Sequence, residues 1–275
     1  MAVANEPTGK LKIVIMNTDG KKKADDIRNK ADKKKQVICD VVKKTGATLF
    51  LFQEFMWRGI SGRAWEGKYR LPSHLEYIGN KEACILFDNS KVTVKEVPDK
   101  TGIQKSILQR MCIGKVKTME DPIVEFICIS WHGRRAEKKN IQEFKSMLKC
   151  ISKLSKKLVL PVLLAGDFNL TAKDIEPHLS SLSLYLHNYK GTRRQSENII
   201  DFFISSELLE MSGIKALTLE SETGVVEVLS LFDHDPVVAL MNEDILISEM
   251  NNLSLSSSTS NTDTTSSDSS AEIED

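Results

Sequence analysis

Four stretches of this chain, LKIVIM, ATLFLFQ, IVEFICISW and VLLAG, are almost continuously apolar yet far too short to cross a membrane. A brief apolar run of this kind, with no polar residue in alternation, is what a strand covered on both faces looks like. After the first run, Ala24, Ile27, Ala31, Ile38 and Val41 recur at helical spacing within a lysine-rich segment. Between the third and fourth runs, Ile141, Phe144, Leu148, Ile151, Leu154 and Leu158 do the same. Both segments predict amphipathic helices with one face on a core and one in water. The pieces LEYIG, ACILFD, KVTVKEV and SILQRMCIGKVK, broken by Gly, Asn, Asp and Pro, predict an antiparallel meander, and NIIDFFIS, KALTLE and PVVALM predict later strands. Strands outnumber helices and the helices stand well apart. The expected fold class is therefore α/β, with two stacked sheets covered by helices on the outside.

Neither an internal repeat nor a long linker interrupts this pattern, so one domain over residues 10–245 is the economical reading, after a flexible start over 1–9. Residues 246–275 form a Ser/Thr-rich acidic segment with little to bury, which predicts a disordered tail. The 38 basic and 38 acidic side chains cancel over the whole chain. The tail, however, holds Glu249, Asp263, Asp268, Glu272, Glu274 and Asp275 and no Lys or Arg, which leaves the rest basic on balance. A cationic body suits a phosphate-bearing substrate, and solvated helix faces account for the same lysines equally well. The five cysteines are widely spaced with no CxxC pair, and they read as buried thiols rather than disulfides or a zinc cluster. With no apolar run of membrane length and no secretory pattern at the start, an intracellular address, cytoplasm or nucleus, and no membrane insertion are expected.

Polar residues able to do chemistry fall where the apolar runs stop. Asn17 and Asp19 follow IVIM, Glu54 follows LFLFQ, His132 closes ISWH, and Asp167 and Asn169 follow VLLAG. Asp201 lies within a predicted strand, and Asp233 and His234 just precede another. Ligands gather at strand ends in sheet-based enzymes, so this repeated placement carries more information than a count of acids. In GDFN, a carboxylate and a carboxamide stand two residues apart, a pair able to orient a water and hold a phosphoryl oxygen, although Asp and Asn after a strand are also ordinary turn formers. Asp233 beside His234 can stabilise a charged imidazole, and Glu54 offers hard oxygen of the kind that suits Mg²⁺ or Mn²⁺. Arg134 and Arg135 follow His132, and Trp57, Arg58, Arg63 and Trp65 follow Glu54 in a Gly-rich stretch. These could supply phosphate contacts and base stacking, or could be solvated loops with partly buried tryptophans.

In chain order, MNTDG, FQE, SWH, GDFN, IIDFFIS and FDHDP resemble the motifs of the endonuclease/exonuclease/phosphatase superfamily, over about residues 11 to 241. The resemblance implies a four-layer α/β/β/α sandwich of two mostly antiparallel sheets whose motif residues meet at one rim. It implies a hydrolase acting on phosphoester bonds with Mg²⁺ or Mn²⁺. Glu54, with Asn17 and Asp19, would hold the metal; Asp167 would orient or deprotonate the attacking water; and Asn169 would fix the phosphate. His234 would bind a non-bridging oxygen with Asp233 setting its tautomer, His132 would protonate the leaving group, and Asp201 would support His132 or the metal pocket. Phe232 stands where Ser is common before D-H. The NTDG motif is most similar to the abasic-site endonuclease and tyrosyl-DNA phosphodiesterase branches, which favours a nucleic-acid substrate. Two alternatives stay open: a phosphatase or phosphodiesterase for lipids, inositol phosphates or other small phosphoesters, and a binding module without turnover.

Overall fold

The computed structural model describes residues 10–18, 27–55, 70–97, 103–189, 199–217, 232 and 234–242. Asp19, Trp57, Arg58, Arg63, Trp65 and Asp233 lie outside the described residues, as do the expected flexible start and acidic tail. The first half of the chain forms β1 (Lys10–Asn17), α1 (Ile27–Thr45), β2 (Leu49–Gln53), β3 (Leu75–Gly79), β4 (Ala83–Asp88), β5 (Val92–Glu96), α2 (Lys105–Leu108) and β6 (Met111–Thr118). The second half forms β7 (Glu125–His132), α3 (Glu137–Leu158), β8 (Val162–Asp167), α4 (Ala172–Ile175), β9 (Leu184–His187), β10 (Asp201–Ser206), β11 (Met211–Ala216) and β12 (Val237–Asn242). Short 3-10 turns at Glu176–His178 and Ser180–Leu182 join α4 to β9.

The strands make two six-stranded sheets, one ordered β11-β12-β1-β2-β4-β3 and the other β5-β6-β7-β8-β10-β9. Each contains one parallel pair, β1 with β2 and β7 with β8, and a helix supplies each crossover. Successive strand side chains point to opposite faces, so a strand between two layers must be apolar on both. Ile13, Ile15, Leu51 and Ile85 of the first sheet meet Phe126, Cys128, Leu163, Ala165 and Phe203 of the second in a shared inner core. Their alternates face outward: Val14, Met16, Phe50 and Phe52 pack with Val37, Ile38, Val41 and Val42 of α1. On the other side, Ile127, Ile129, Trp131 and Leu164 pack with Phe144, Met147, Leu148 and Ile151 of α3. These three apolar layers define a four-layer α/β/β/α sandwich, and they explain the unbroken runs read from the sequence.

Some expectations shift. The predicted meander is shared between the sheets, because the chain leaves the first sheet after β4 and enters the second at β5. Within SILQRMCIGKVK only the second part is a strand; the SIL portion belongs to α2, which buries Ile107. The strand expected at KALTLE starts earlier, at Met211, and ends at Ala216. It carries a register break between Ser212 and Lys215 and Gly213 at a φ of +59°, so no apolar alternation marks it. Four of the five cysteines are buried free thiols; Cys150 is only half buried.

Candidate active site

Strand register brings the motif residues to one end of the sandwich. Asn17 pairs with Gln53, which precedes Glu54, in the first sheet; in the second, Asp167 stands opposite both His132 and Asp201. The contacts that join them cross from sheet to sheet. Asn17 Nδ2 donates to Asp167 Oδ2 at 2.8 Å, and Gln53 Nε2 donates to Ser130 Oγ at 3.0 Å just beneath. His234, leading into β12 of the first sheet, places Nδ1 2.8 Å from Asp201 Oδ2 on β10 of the second. His132, at the end of β7, has Nε2 3.4 Å from Glu54 Oε1 and 4.0 Å from Asp167 Oδ2. Glu54, His132, Asp167, Asp201 and His234 are all buried.

Local backbone aims these groups. Glu54 and Asn169 adopt left-handed conformations, with φ of +53° and +50°, which turn each side chain out of the line of its strand. A non-Gly residue held there costs on the order of 1–3 kcal/mol, so its surroundings must hold it. The Glu54 amide is tied to Glu82 O at 3.1 Å. The Asn169 amide donates to Asp167 Oδ1 at 3.0 Å, and its side chain donates to Gly133 O at 3.1 Å. Gly166 is needed near the end of β8, where φ is +146° and a Cβ would lie 2.0 Å from Trp131 O.

Asp201, expected to support His132 or the metal pocket, belongs to a set with Asp167 and His234 and does not partner His132. Asp201 holds His234, whereas His132 finds its carboxylate in Glu82, whose Oε2 lies 3.0 Å from Nδ1. Arg134, expected to face flanking phosphates, donates through Nε to Glu143 Oε2 on α3 at 2.7 Å; Arg135 is exposed. Glu82 escaped the sequence reading because it sits in a polar turn ahead of β4 with no motif around it. Arg110 escaped it for a similar reason. Its Nε donates to His132 O at 2.7 Å and its guanidinium lies 3.6 Å from Glu82. Burial lowers the pKa of Arg110 from its ordinary value, against the opposing pull of Glu82, and Arg134 lowers it further. Tyr189 is near enough to feel the same acids: burial, then the charges of Asp201 and Asp235, push its phenol well above the ordinary range.

Hard oxygen donors dominate this rim, the donor type that suits a cation such as Mg²⁺. Among the described residues, Asp167, Asp201 and His234 form a set whose ligand atoms lie within 4.8 Å of one another. That set differs from the Asn17, Asp19 and Glu54 expected from the sequence, of which Asp19 is not described.

No protein-family model and no curated protein sequence matches the chain. Solved structures do. An endonuclease/exonuclease/phosphatase family protein from Bacteroides thetaiotaomicron superposes with a TM-score of 0.65 at 19% identity, covering 86% of this chain and 98% of that one. A mannosyl-6-phosphatase from the same organism gives 0.64 at 20% identity, with 84% and 99% covered. A D. rerio TDP2 complexed with a single strand DNA product gives 0.57 at 13% identity, with 85% and 99% covered. The chain thus has the endonuclease/exonuclease/phosphatase fold along nearly the whole of its described length. No helix among the described residues is long and apolar enough to cross a membrane.

Proposed function

We propose that this chain is an enzyme that hydrolyses phosphoester bonds with the aid of a divalent cation, and that its substrate is nucleic acid. One observation carries the reading: Asn17, Glu54 and His234 from the first sheet meet His132, Asp167 and Asp201 from the second at a single buried rim. A structural core has no need of so many desolvated titratable groups, whereas a site for a charged, hydrolysable ester does. Glu54 and Asn17 present oxygen donors that suit a cation such as Mg²⁺ or Mn²⁺ and would hold it, with Asp19 of the NTDG motif as the further carboxylate that the sequence offers. Bound there, it would supply positive charge to the phosphate as negative charge moves to the leaving oxygen.

The remaining roles follow from hydrogen bonding. Asp167 has one oxygen fixed by Asn17 and the other by the Asn169 amide, so its carboxylate is immobilised to orient, or take a proton from, the attacking water. Asp201 on Nδ1 of His234 directs Nε2 to a non-bridging phosphate oxygen, with Asp233 adding negative charge next to it. Glu82 on Nδ1 of His132 fixes that ring so that Nε2 can hand a proton to the leaving group. The side-chain nitrogen of Asn169 carries two hydrogens; one goes to Gly133 O and the other would serve the phosphate. Arg135, with Trp57 and Arg58 after Glu54, would meet the flanking phosphates and bases, with Arg134 adding charge from its place on Glu143.

Support for nucleic acid comes from the NTDG motif and from the TDP2 neighbour crystallised with single strand DNA. The mannosyl-6-phosphatase neighbour supports the small-phosphoester alternative. Assaying DNA, RNA, phosphotyrosyl-DNA, sugar and inositol phosphates and lipid substrates, each with Mg²⁺ and with EDTA, separates them. EDTA-sensitive cleavage of a nucleic acid supports the reading. Turnover of only the small or lipid esters overturns the substrate class, and no turnover at all favours a binding module.

A further inference from the structure

Two polar residues interrupt the apolar stripe of α3 near its start, Asn140 and Glu143, and both are buried. A buried amide without partners costs about 1–3 kcal/mol, so the bonds Asn140 makes show what it is for. Its Nδ2 donates to Phe168 O at 2.7 Å and to Asn169 O at 3.3 Å, while its Oδ1 accepts the Arg134 amide at 3.0 Å. All of these are main-chain atoms of the two segments that leave the ends of β7 and β8. A single side chain, reaching from a helix outside the second sheet, ties the segment after His132 to the segment after Asp167.

The same junction is closed by other bonds. Gly133 N donates to Asp167 O at 2.7 Å, and Arg110 holds His132 O and Gly133 O from the β6 side. Gly133 permits this approach: a Cβ there would lie 1.9 Å from Phe168 O and 3.1 Å from Asn140 Nδ2. Asn169 needs outside support for its left-handed backbone, and Asn140 supplies a bond to its carbonyl.

We propose that Asn140 is a positioning residue that sets the placement of His132 relative to the Asp167–Asn169 turn. The proposal rests on the phosphoesterase reading for its kinetic consequence and on geometry alone for the clamp. Neither Ala nor Asp can replace it: Ala offers no bond, and an ionised Asp would face two carbonyl oxygens with no hydrogen to donate. A protonated Asp can donate again to Phe168 O, so its effect depends on pH.

The experiment compares the full-length chain with Asn140→Ala and Asn140→Asp by two readouts. One is the kinetics of Mg²⁺-dependent cleavage of a single-stranded DNA oligonucleotide, whose alkoxide leaving group needs a proton; the other is amide hydrogen exchange. Misplacing reacting groups by about 1 Å can cost about 100-fold, so Asn140→Ala is expected to lower kcat about 10- to 100-fold with KM within about twofold. Exchange at Gly133, Arg134 and Asn169 should quicken while β8 and β10 keep their protection. Asn140→Asp should lose kcat at neutral pH and recover part of it, relative to the unaltered chain, as pH falls. A general loss of structure would not produce that recovery. If Asn140→Ala does not fold, Asn140→Ser, which keeps one hydroxyl donor, carries the same two readings. Unchanged exchange at the two segments overturns the clamp whether or not the chain is active. Normal kcat with altered exchange overturns the positioning role, and an unaltered chain inactive on DNA overturns the nucleic-acid reading instead.

Discussion

His234 and His132 stand on two sides of the same rim, each with a carboxylate on Nδ1, yet they are held by different material. Asp201, the partner of His234, is the first residue of β10 and lies in register opposite Asp167, so that pair inherits the rigidity of two hydrogen-bonded sheets. Glu82, the partner of His132, sits in the turn between β3 and β4, has a side chain 23% exposed, and is shared with Arg110. A buried carboxylate fixed by a sheet holds ring geometry. One on a turn, partly in water and already engaged by a cation, is softer and more readily tuned. Binding of phosphate suits the first arrangement and delivery of a proton suits the second.

The sharpest way to break this comparison is to remove the rings. His234→Ala should lower kcat about 1,000-fold, at the upper end for loss of a group that stabilises transition-state charge. His132→Ala should lower it about 100-fold or more with a poor leaving group, and markedly less with p-nitrophenolate, which needs no proton. An equal loss on both leaving groups would contradict the proton-delivery role. Glu82→Gln should cost about tenfold in kcat, because the ring keeps a hydrogen-bonding partner but loses the charge. Gly133→Ala addresses the scaffold rather than either ring. Overpacking against Phe168 O should lower unfolding stability by about 1–3 kcal/mol in a denaturant titration. Smallest of all, Tyr189→Phe should leave any alkaline limb of the pH–rate profile in place. Burial and the neighbouring acids raise this phenol, so it remains protonated below and through its ordinary titration range.

The fold was legible in the sequence where layers cover both faces of a strand, because the LFLF of β2 and the VLLA of β8 have no polar residue to turn to water. It was not legible at β9 and β11, edge strands whose side chains alternate poorly, and β11 also contains a bulge. At the rim, Asn17, Glu54, His132, Asp167, Asn169, Asp201 and His234 could be picked out because each falls at or near a strand end within a motif. Their pairings could not. Asp201 reaches His234 across 33 positions and His132 reaches Glu82 across 50, so only the stacking of the two sheets decides the partners. Glu82, Arg110 and Asn140 went unnoticed because a turn acid, a loop arginine and a helix amide carry no signal until their neighbours in space are known.

The central claim is that the site exists only where the two sheets meet, with Glu54 from one and Asp167 from the other acting on the same phosphoester. Measuring Mg²⁺-dependent kcat/KM for a single-stranded DNA substrate in Glu54→Gln and Asp167→Asn tests this most directly. The account predicts that either substitution alone removes at least about 99% of the activity while leaving the fold intact, as for groups that act as a unit. Full activity in either variant would contradict it.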